Sequence, residues 1–244
     1  MKLIWTYNFN VFRDGMENRH YNVLIDLYRT SMVSAKNLGY ETILYTNPDR
    51  VNLFEDYVNE IVVAENYEDS PLFDSFKIKV LEERNDDFYL IDGDVILNSK
   101  LPILDRDVTF DAFETKFWKP TYGDPIKELD GIGINEIMPI FKVDRAEKMF
   151  NCGLLRITNQ KLKETYVSYW KRFNGFIKEN KNTLILDHTS VGAQYILTTL
   201  TKEMGATYEP LSQFLGDQNQ YYRHYAGRVK YRIKIPSPVT KTLI

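Results

Sequence analysis

Two carboxylates one residue apart, Asp92 and Asp94 in the stretch Phe88-Tyr-Leu-Ile-Asp-Gly-Asp-Val-Ile-Leu97, are the side chains best placed to do chemistry. Apolar residues run into the Asp-Gly-Asp and resume directly after it, so a buried strand delivers both carboxylates to its own C-terminal end. Charge placed beside a core needs a compensating cation or hydrogen bonds, because taking it out of water is costly. Gly93 lets the backbone turn sharply or lie close against something bound. The arrangement points to a divalent cation and a phosphorylated ligand. Asp-Gly-Asp after a strand is also ordinary turn chemistry, with Asp bonding nearby backbone and Gly supplying positive φ. The apolar flanks favour a site, since a solvent turn is normally bordered by polar positions.

A second group of chemically capable residues closes the chain, in Tyr221-Tyr-Arg-His224-Tyr-Ala-Gly227-Arg228-Val-Lys230. An imidazole can ligate a metal, and neighbouring Arg and Lys can neutralise phosphate oxygens. No acidic residue follows Arg223, so the tail reads either as a diphosphate clamp or as an exposed basic segment able to touch an anionic membrane surface. Lys77 and Lys79 are further candidates for a diphosphate, or simply the wet face of a helix.

The elements that must position these groups follow from periodicity. Leu3-Ile4-Trp5 reads as a strand, residues 21–38 as a helix stopped by Gly39, Glu41–Tyr45 as a second strand, and Ile61–Val63 as a third. A helix over 75–84 precedes the Asp-Gly-Asp strand. Strand-helix-strand order implies parallel pairing with right-handed crossovers, and a ligand site beyond the carboxyl ends of the strands. Tyr7 would then either stack on a nucleobase or pack against the following loop. Val108–Phe113 reads as a strand ending in Glu114, and the Gly- and Pro-rich stretch 119–147 as a long loop over the crevice or acceptor side. Phe150–Ile157 is a strand with Asn151 and Gly153 at its start. Asn159 caps a helix to about Lys178, and Asp187 either caps the next helical segment or faces a ligand.

With 244 residues, 43% hydrophobic and 27% charged, the chain has the profile of a globular protein with a sizeable core. The net charge of -3 gives no global argument for nucleic-acid binding. The single cysteine, Cys152, excludes an internal disulfide; with no signal-peptide or membrane-spanning pattern, a cytoplasmic location is expected.

Three separated segments resemble one family pattern. Ile91-Asp92-Gly93-Asp94 is similar to the Asp-X-Asp motif of nucleotide-sugar glycosyltransferases with the GT-A fold. Phe150-Asn151-Cys152-Gly153-Leu154-Leu155 resembles the Phe-Asn-(small)-Gly-hydrophobic segment of the family 8, glycogenin-like and galactosyltransferase-like members, and His224-Tyr-Ala-Gly227-Arg-Val-Lys230 resembles their His-X-X-Gly-X-X-Lys segment. The resemblance implies one Rossmann-like GT-A α/β domain, a mixed, mainly parallel sheet flanked by helices. Residues 1–97 would be the nucleotide-binding half and 98–244 the half that closes the metal and acceptor side. It also implies that Asp92 contacts ribose and metal, that Asp94 and His224 ligate the metal, and that Lys230 and the Gly227 backbone hold the diphosphate. Asn151 and Gly153 would line the donor-sugar pocket, with Gly93 close to the nucleotide.

The family's Asp-Gln-Asp-like catalytic segment falls at Asp187, but here His188 follows, and Gln194 is the available substitute for the sugar-facing Gln. The implied activity is metal-dependent, retaining transfer of a hexose from a UDP-sugar to a glycan, lipid-linked glycan or protein. An inverting reaction would need a general base, for which Asp187, Glu209 and Asp217 are candidates. A mixed Asp/His site leans toward Mn²⁺ over Mg²⁺. Nucleotidyl transfer to a sugar phosphate, or a non-catalytic nucleotide-sugar or carbohydrate-binding domain, are the alternatives.

Overall fold

Residues 1–7, 18–64, 74–114, 129–141, 148–180 and 187–225 are described by the structure, a computed structural model, with the backbone alone for 18–20 and 187–191. In chain order the main elements are β1 (Lys2–Tyr7), α1 (Asn18–Asn37), β2 (Glu41–Thr46), β3 (Glu60–Val63), α2 (Ser75–Glu83), β4 (Phe88–Ile91), β5 (Val95–Leu97), β6 (Val108–Glu114), β7 (Met149–Ile157), α3 (Gln160–Glu179), α4 (Asp187–Glu203), β8 (Tyr208–Pro210) and β9 (Tyr222–His224).

Seven strands form one sheet in the order β3-β2-β1-β4-β7-β6-β8. The β3-β2, β2-β1, β1-β4 and β6-β8 pairs are parallel, while β7 runs antiparallel to both of its neighbours. This is the mixed, mainly parallel, helix-flanked sheet expected from the sequence. Side chains alternate between faces along a strand, and the core follows that alternation. Leu3, Trp5 and Tyr7 of β1 join Tyr89 and Ile91 of β4 in a cluster covered by α1. Ile4, Phe88 and Leu90 face the other way, into a cluster with α2, α3 and α4. Strands buried on both faces need continuous apolar runs, and β4 is buried at every residue.

Helix α3 begins where the sequence places it. The Asn159 side chain accepts a hydrogen bond from the Leu162 amide at 3.0 Å, which satisfies one amide left over at the helix start. Leu162, Tyr166, Trp170, Phe173 and Ile177 then line its buried face at helical spacing.

The buried strand Phe88–Ile91 ends at the Asp-Gly-Asp, as read from the sequence; the chain then leaves the main sheet, and β5 pairs with β9 in a separate two-stranded sheet. The described middle of the 119–147 stretch, read from the sequence as loop, contains a short helical turn at Ile134–Ile137 and buries apolar side chains. Leu129, Ile134, Met138 and Phe141 are fully buried, and Phe141 stacks on Phe173 and Tyr195 at 5.5 and 5.0 Å. Its apolar residues outweigh its Gly and Pro content, so it packs as core.

Candidate metal and nucleotide site

The chain passes from β1 to β2 and β3 on one side, then crosses to β4 on the other side of β1, so the strand order reverses between β1 and β4. In open α/β sheets, ligands bind outside the carboxyl ends of the strands at such a point. Asp92 is the residue that follows β4. Its amide donates to the Gly153 carbonyl on β7 at 2.8 Å, and its carbonyl accepts from the Val95 amide at 3.1 Å, closing a tight turn through Gly93 and Asp94. From there β5 pairs antiparallel with β9, with Val95 opposite His224, and the Tyr225 amide donates to the Asp94 carbonyl at 2.9 Å. The small sheet thus carries a residue from the far end of the chain onto the Asp-Gly-Asp turn.

The result is a cluster. One ligand atom from each of Asp92, Asp94 and His224 can be chosen so that all lie within 4.8 Å of one another. Two carboxylates and an imidazole make an oxygen-rich donor set with one nitrogen, which could hold a divalent cation. Asp94 is buried, and His224 Nε2 lies 3.4 Å from its Oδ1. The other ring nitrogen, Nδ1, is 2.5 Å from Oδ2 of Asp111, a buried residue of β6 that no motif in the sequence marks.

Electrostatics around the cluster are tightly balanced. Burial pushes the Asp92 carboxyl above its ordinary range, Lys77 pulls it back, and Asp94 pushes it up again, leaving it raised. Lys77 Nζ sits 2.6 Å from Asp92 Oδ1, donates to the Cys152 carbonyl at 3.2 Å and lies 3.7 Å from Asp74. Burial works against its charge, but Asp92 and Asp74 outweigh that and hold it protonated. Burial likewise lowers His224, while hydrogen bonds to Asp111 and Asp94 and their charges lift it to about 10. A bound cation would take the place of the imidazolium proton, since a ligating His must be neutral.

Beside Asp92 lies a cavity of about 140 Å³, lined by Asp74, Lys77, Cys152, Tyr166 and Gln194 among others. The Oε1 of Gln194 is buried with no hydrogen-bond partner among the described residues. An unsatisfied buried acceptor is costly, so a polar guest that donates to it is the simplest way to remove that cost. Asn151 is held in place nearby, donating to Glu114 Oε1 at 3.0 Å and accepting from the Gly153 amide at 2.8 Å.

Several expected roles are corrected by these positions. Tyr7 is fully buried, its ring edge-on to Tyr28 and tilted against Phe54 at 5.0 Å each, so no face is open to a nucleobase. Gly93 leaves room for protein rather than ligand: a Cβ there would come within 2.1 Å of the Tyr28 ring, and its φ is not positive. Gly153 gives its space to His224, whose Cε1 would lie 2.4 Å from an added Cβ. Lys77 is engaged with Asp92, and Lys79 pairs with Glu83 at 3.6 Å. Glu209 is paired with Arg106 at 3.3 Å beside the start of β6, and Asp217 caps the Asn219 amide.

Gln194 and Asp92 line the same cavity, while α4 includes Asp187 and His188, whose side chains lie outside the description. Gly227 and Lys230 fall beyond the described residues, as do the rest of the basic tail and Leu184–Leu186. Asp111 was legible only as a charged residue inside the apolar run Val108-Thr-Phe-Asp-Ala-Phe113.

No protein-family model matches the chain, and no curated protein matches it by sequence. Among solved structures, the glycosyltransferase GlyE of Streptococcus pneumoniae aligns over 93% of this chain at 12% identity with a TM-score of 0.48. The chain spans 54% of the length of that protein. The inositol-1-phosphate CTP transferase of T. maritima aligns over 86% of this chain and 84% of its own, at 14% identity and a TM-score of 0.46. Mouse xyloside xylosyltransferase 1 aligns over 97% of this chain and 95% of its own, at 12% identity and a TM-score of 0.44.

Proposed function

We propose that this chain is a metal-dependent glycosyltransferase that moves a hexose from a UDP-sugar to a glycan, lipid-linked glycan or protein acceptor, with retention at the anomeric carbon. The observation that carries the reading is the meeting of Asp92, Asp94 and His224 at one point, at the carboxyl end of β4 where the strand order reverses. A chance turn would not draw a histidine from the other end of the chain onto two carboxylates.

In this reading Mn²⁺, or Mg²⁺, held by the three side chains supplies Lewis acidity toward the diphosphate as negative charge grows on the departing UDP. Asp92 also meets the ribose, and Lys77 fixes its carboxylate by the 2.6 Å contact. The donor sugar occupies the cavity beside Asp92, where Gln194 Oε1 accepts from a sugar hydroxyl, and Asn151 faces the donor sugar. Lys230 and the Gly227 backbone hold the diphosphate, and Asp187 and His188 complete the sugar-facing wall. Beyond this the chain holds an acceptor hydroxyl near the anomeric carbon.

The test is to offer UDP-sugars one at a time with Mn²⁺ and measure free UDP. Release from one donor is expected, reduced by roughly 100-fold or more in Asp94→Ala, with circular dichroism unchanged. No release from any donor, with no UDP-dependent thermal shift, would overturn the proposal. Pyrophosphate formed from a nucleoside triphosphate and a sugar phosphate would replace it with nucleotidyl transfer.

A further inference from the structure

We propose that Asp111 is a positioning residue of the metal centre, binding Nδ1 of His224 so that the ring presents Nε2, with its lone pair, to the point shared by Asp92 and Asp94. The inference rests on the metal-site reading above and adds a residue outside the three motifs that carry that reading.

The geometry singles out Asp111. Tyr222 and His224 are two apart on β9, so their side chains leave the same face of the strand. Both end on one carboxylate: Tyr222 Oη donates to Asp111 Oδ1 at 2.5 Å, and His224 Nδ1 meets Oδ2 at 2.5 Å. Gln218 Nε2 adds a third contact to Oδ1 at 3.4 Å. Asp111 is only 2% exposed, in a strand whose other buried residues are apolar or Thr. A buried carboxylate is retained at such a position only when its acceptors are satisfied, and here its contacts come from the segment that carries the metal ligand.

The chemistry follows from donor and acceptor roles. A carboxylate offers acceptors alone, so Nδ1 must carry the hydrogen that joins it to Asp111. In the neutral imidazole the other nitrogen is then the bare one. Nε2 is also the nitrogen on the cluster side, 3.4 Å from Asp94 Oδ1. The ring also lies close against Gly153, where a side chain would meet its Cε1 and both nitrogens. Ring position and tautomer are therefore set by β6 and β7, and the three-residue strand β9 need only deliver the ring. A carboxylate behind a ligating His also raises its basicity as a ligand. Because the nitrogen donor is what favours Mn²⁺ over Mg²⁺, Asp111 contributes to metal preference as well as affinity.

Asp111→Asn tests the inference with almost no change in shape. The amide oxygen can still accept from Tyr222, but the amide NH₂ then faces Nδ1 and makes it an acceptor, which moves the hydrogen to Nε2. Mn²⁺ affinity, read from the free-ion electron paramagnetic resonance signal in the presence of UDP, is expected to fall roughly 10- to 100-fold. Mg²⁺ affinity, read by competition, should fall less, so the preference for Mn²⁺ narrows; the metal-free variant, which loses the buried carboxylate facing the His224 imidazolium, melts at a lower temperature, so affinities are compared well below that transition. Nitrogen-15 spectra of histidine-labelled protein with Mg²⁺ and UDP give the direct readout; the chain has three His residues, and His224→Gln identifies the relevant signals. The expected spectrum has hydrogen on Nδ1 in the unaltered protein and on Nε2 in Asp111→Asn. Unchanged Mn²⁺ affinity and preference in Asp111→Asn, or an Nε2–H imidazole in the unaltered metal-loaded protein, would overturn the inference and leave the metal site standing. If Asp111→Asn does not fold, the spectrum of the unaltered protein decides alone. Absence of Mn²⁺ binding to the unaltered protein would remove the metal site and this inference together.

Discussion

At the residue scale, the centre is defined as much by what supports the ligands as by the ligands. Glu114 ends β6 next to Asn151, and burial lifts its carboxyl from 4.5 to about 7 against the Asn151 hydrogen bond and the His224 charge that lower it. Between those two pH values the folded state holds a proton that the unfolded chain has released. Stability contributed by Glu114 therefore falls as pH rises from about 4.5 to about 7 and is level beyond. Its size is on the order of 2–3 kcal/mol. Glu114→Gln keeps the acceptor for Asn151 and removes the titration, so urea unfolding should show the unaltered protein losing that much more than the variant between about pH 5 and about pH 8. Parallel pH profiles would show that Glu114 ionises freely in the folded state.

Element boundaries explain what the sequence revealed and what it hid. β1, β2, β4 and β7 are legible because each carries a cluster of apolar residues, and α3 because a capping Asn precedes a helical stripe. β8 and β9 span only three residues each, and their pairing depends on partners more than 90 residues away, which no local pattern records. For the same reason Asp92, Asp94 and His224 could be named from the sequence, while Asp111 and the clasp between β6 and β9 could not. What lies against the glycines is not legible in the sequence, because a missing side chain looks the same whether a ligand or a neighbouring ring uses the room. Tyr28, not a nucleotide, fills the space at Gly93. Gly93→Ala should thus lower stability by about 1–3 kcal/mol through overpacking, measured as a lower urea midpoint even without nucleotide. Full stability in that variant would mean that Tyr28 moves aside freely.

For the molecule as a whole, the sheet divides the work. Its parallel strands β3, β2, β1 and β4 end at the reversal point where Asp92 lies, and the antiparallel β7 supplies the carbonyl of Gly153 that pins the turn. The small β5-β9 sheet then ties the end of the described chain to the Asp-Gly-Asp. Assembly of the cluster thus depends on β9 as well as on β4. The most direct measurement of the central claim is calorimetric titration of UDP into the protein with and without Mn²⁺, repeated for Asp94→Ala and His224→Ala with folding checked by circular dichroism. The expected result is UDP binding that requires Mn²⁺ in the unaltered protein and loses that requirement, together with most of its affinity, in both variants. Full Mn²⁺-dependent UDP affinity in either folded variant would contradict it.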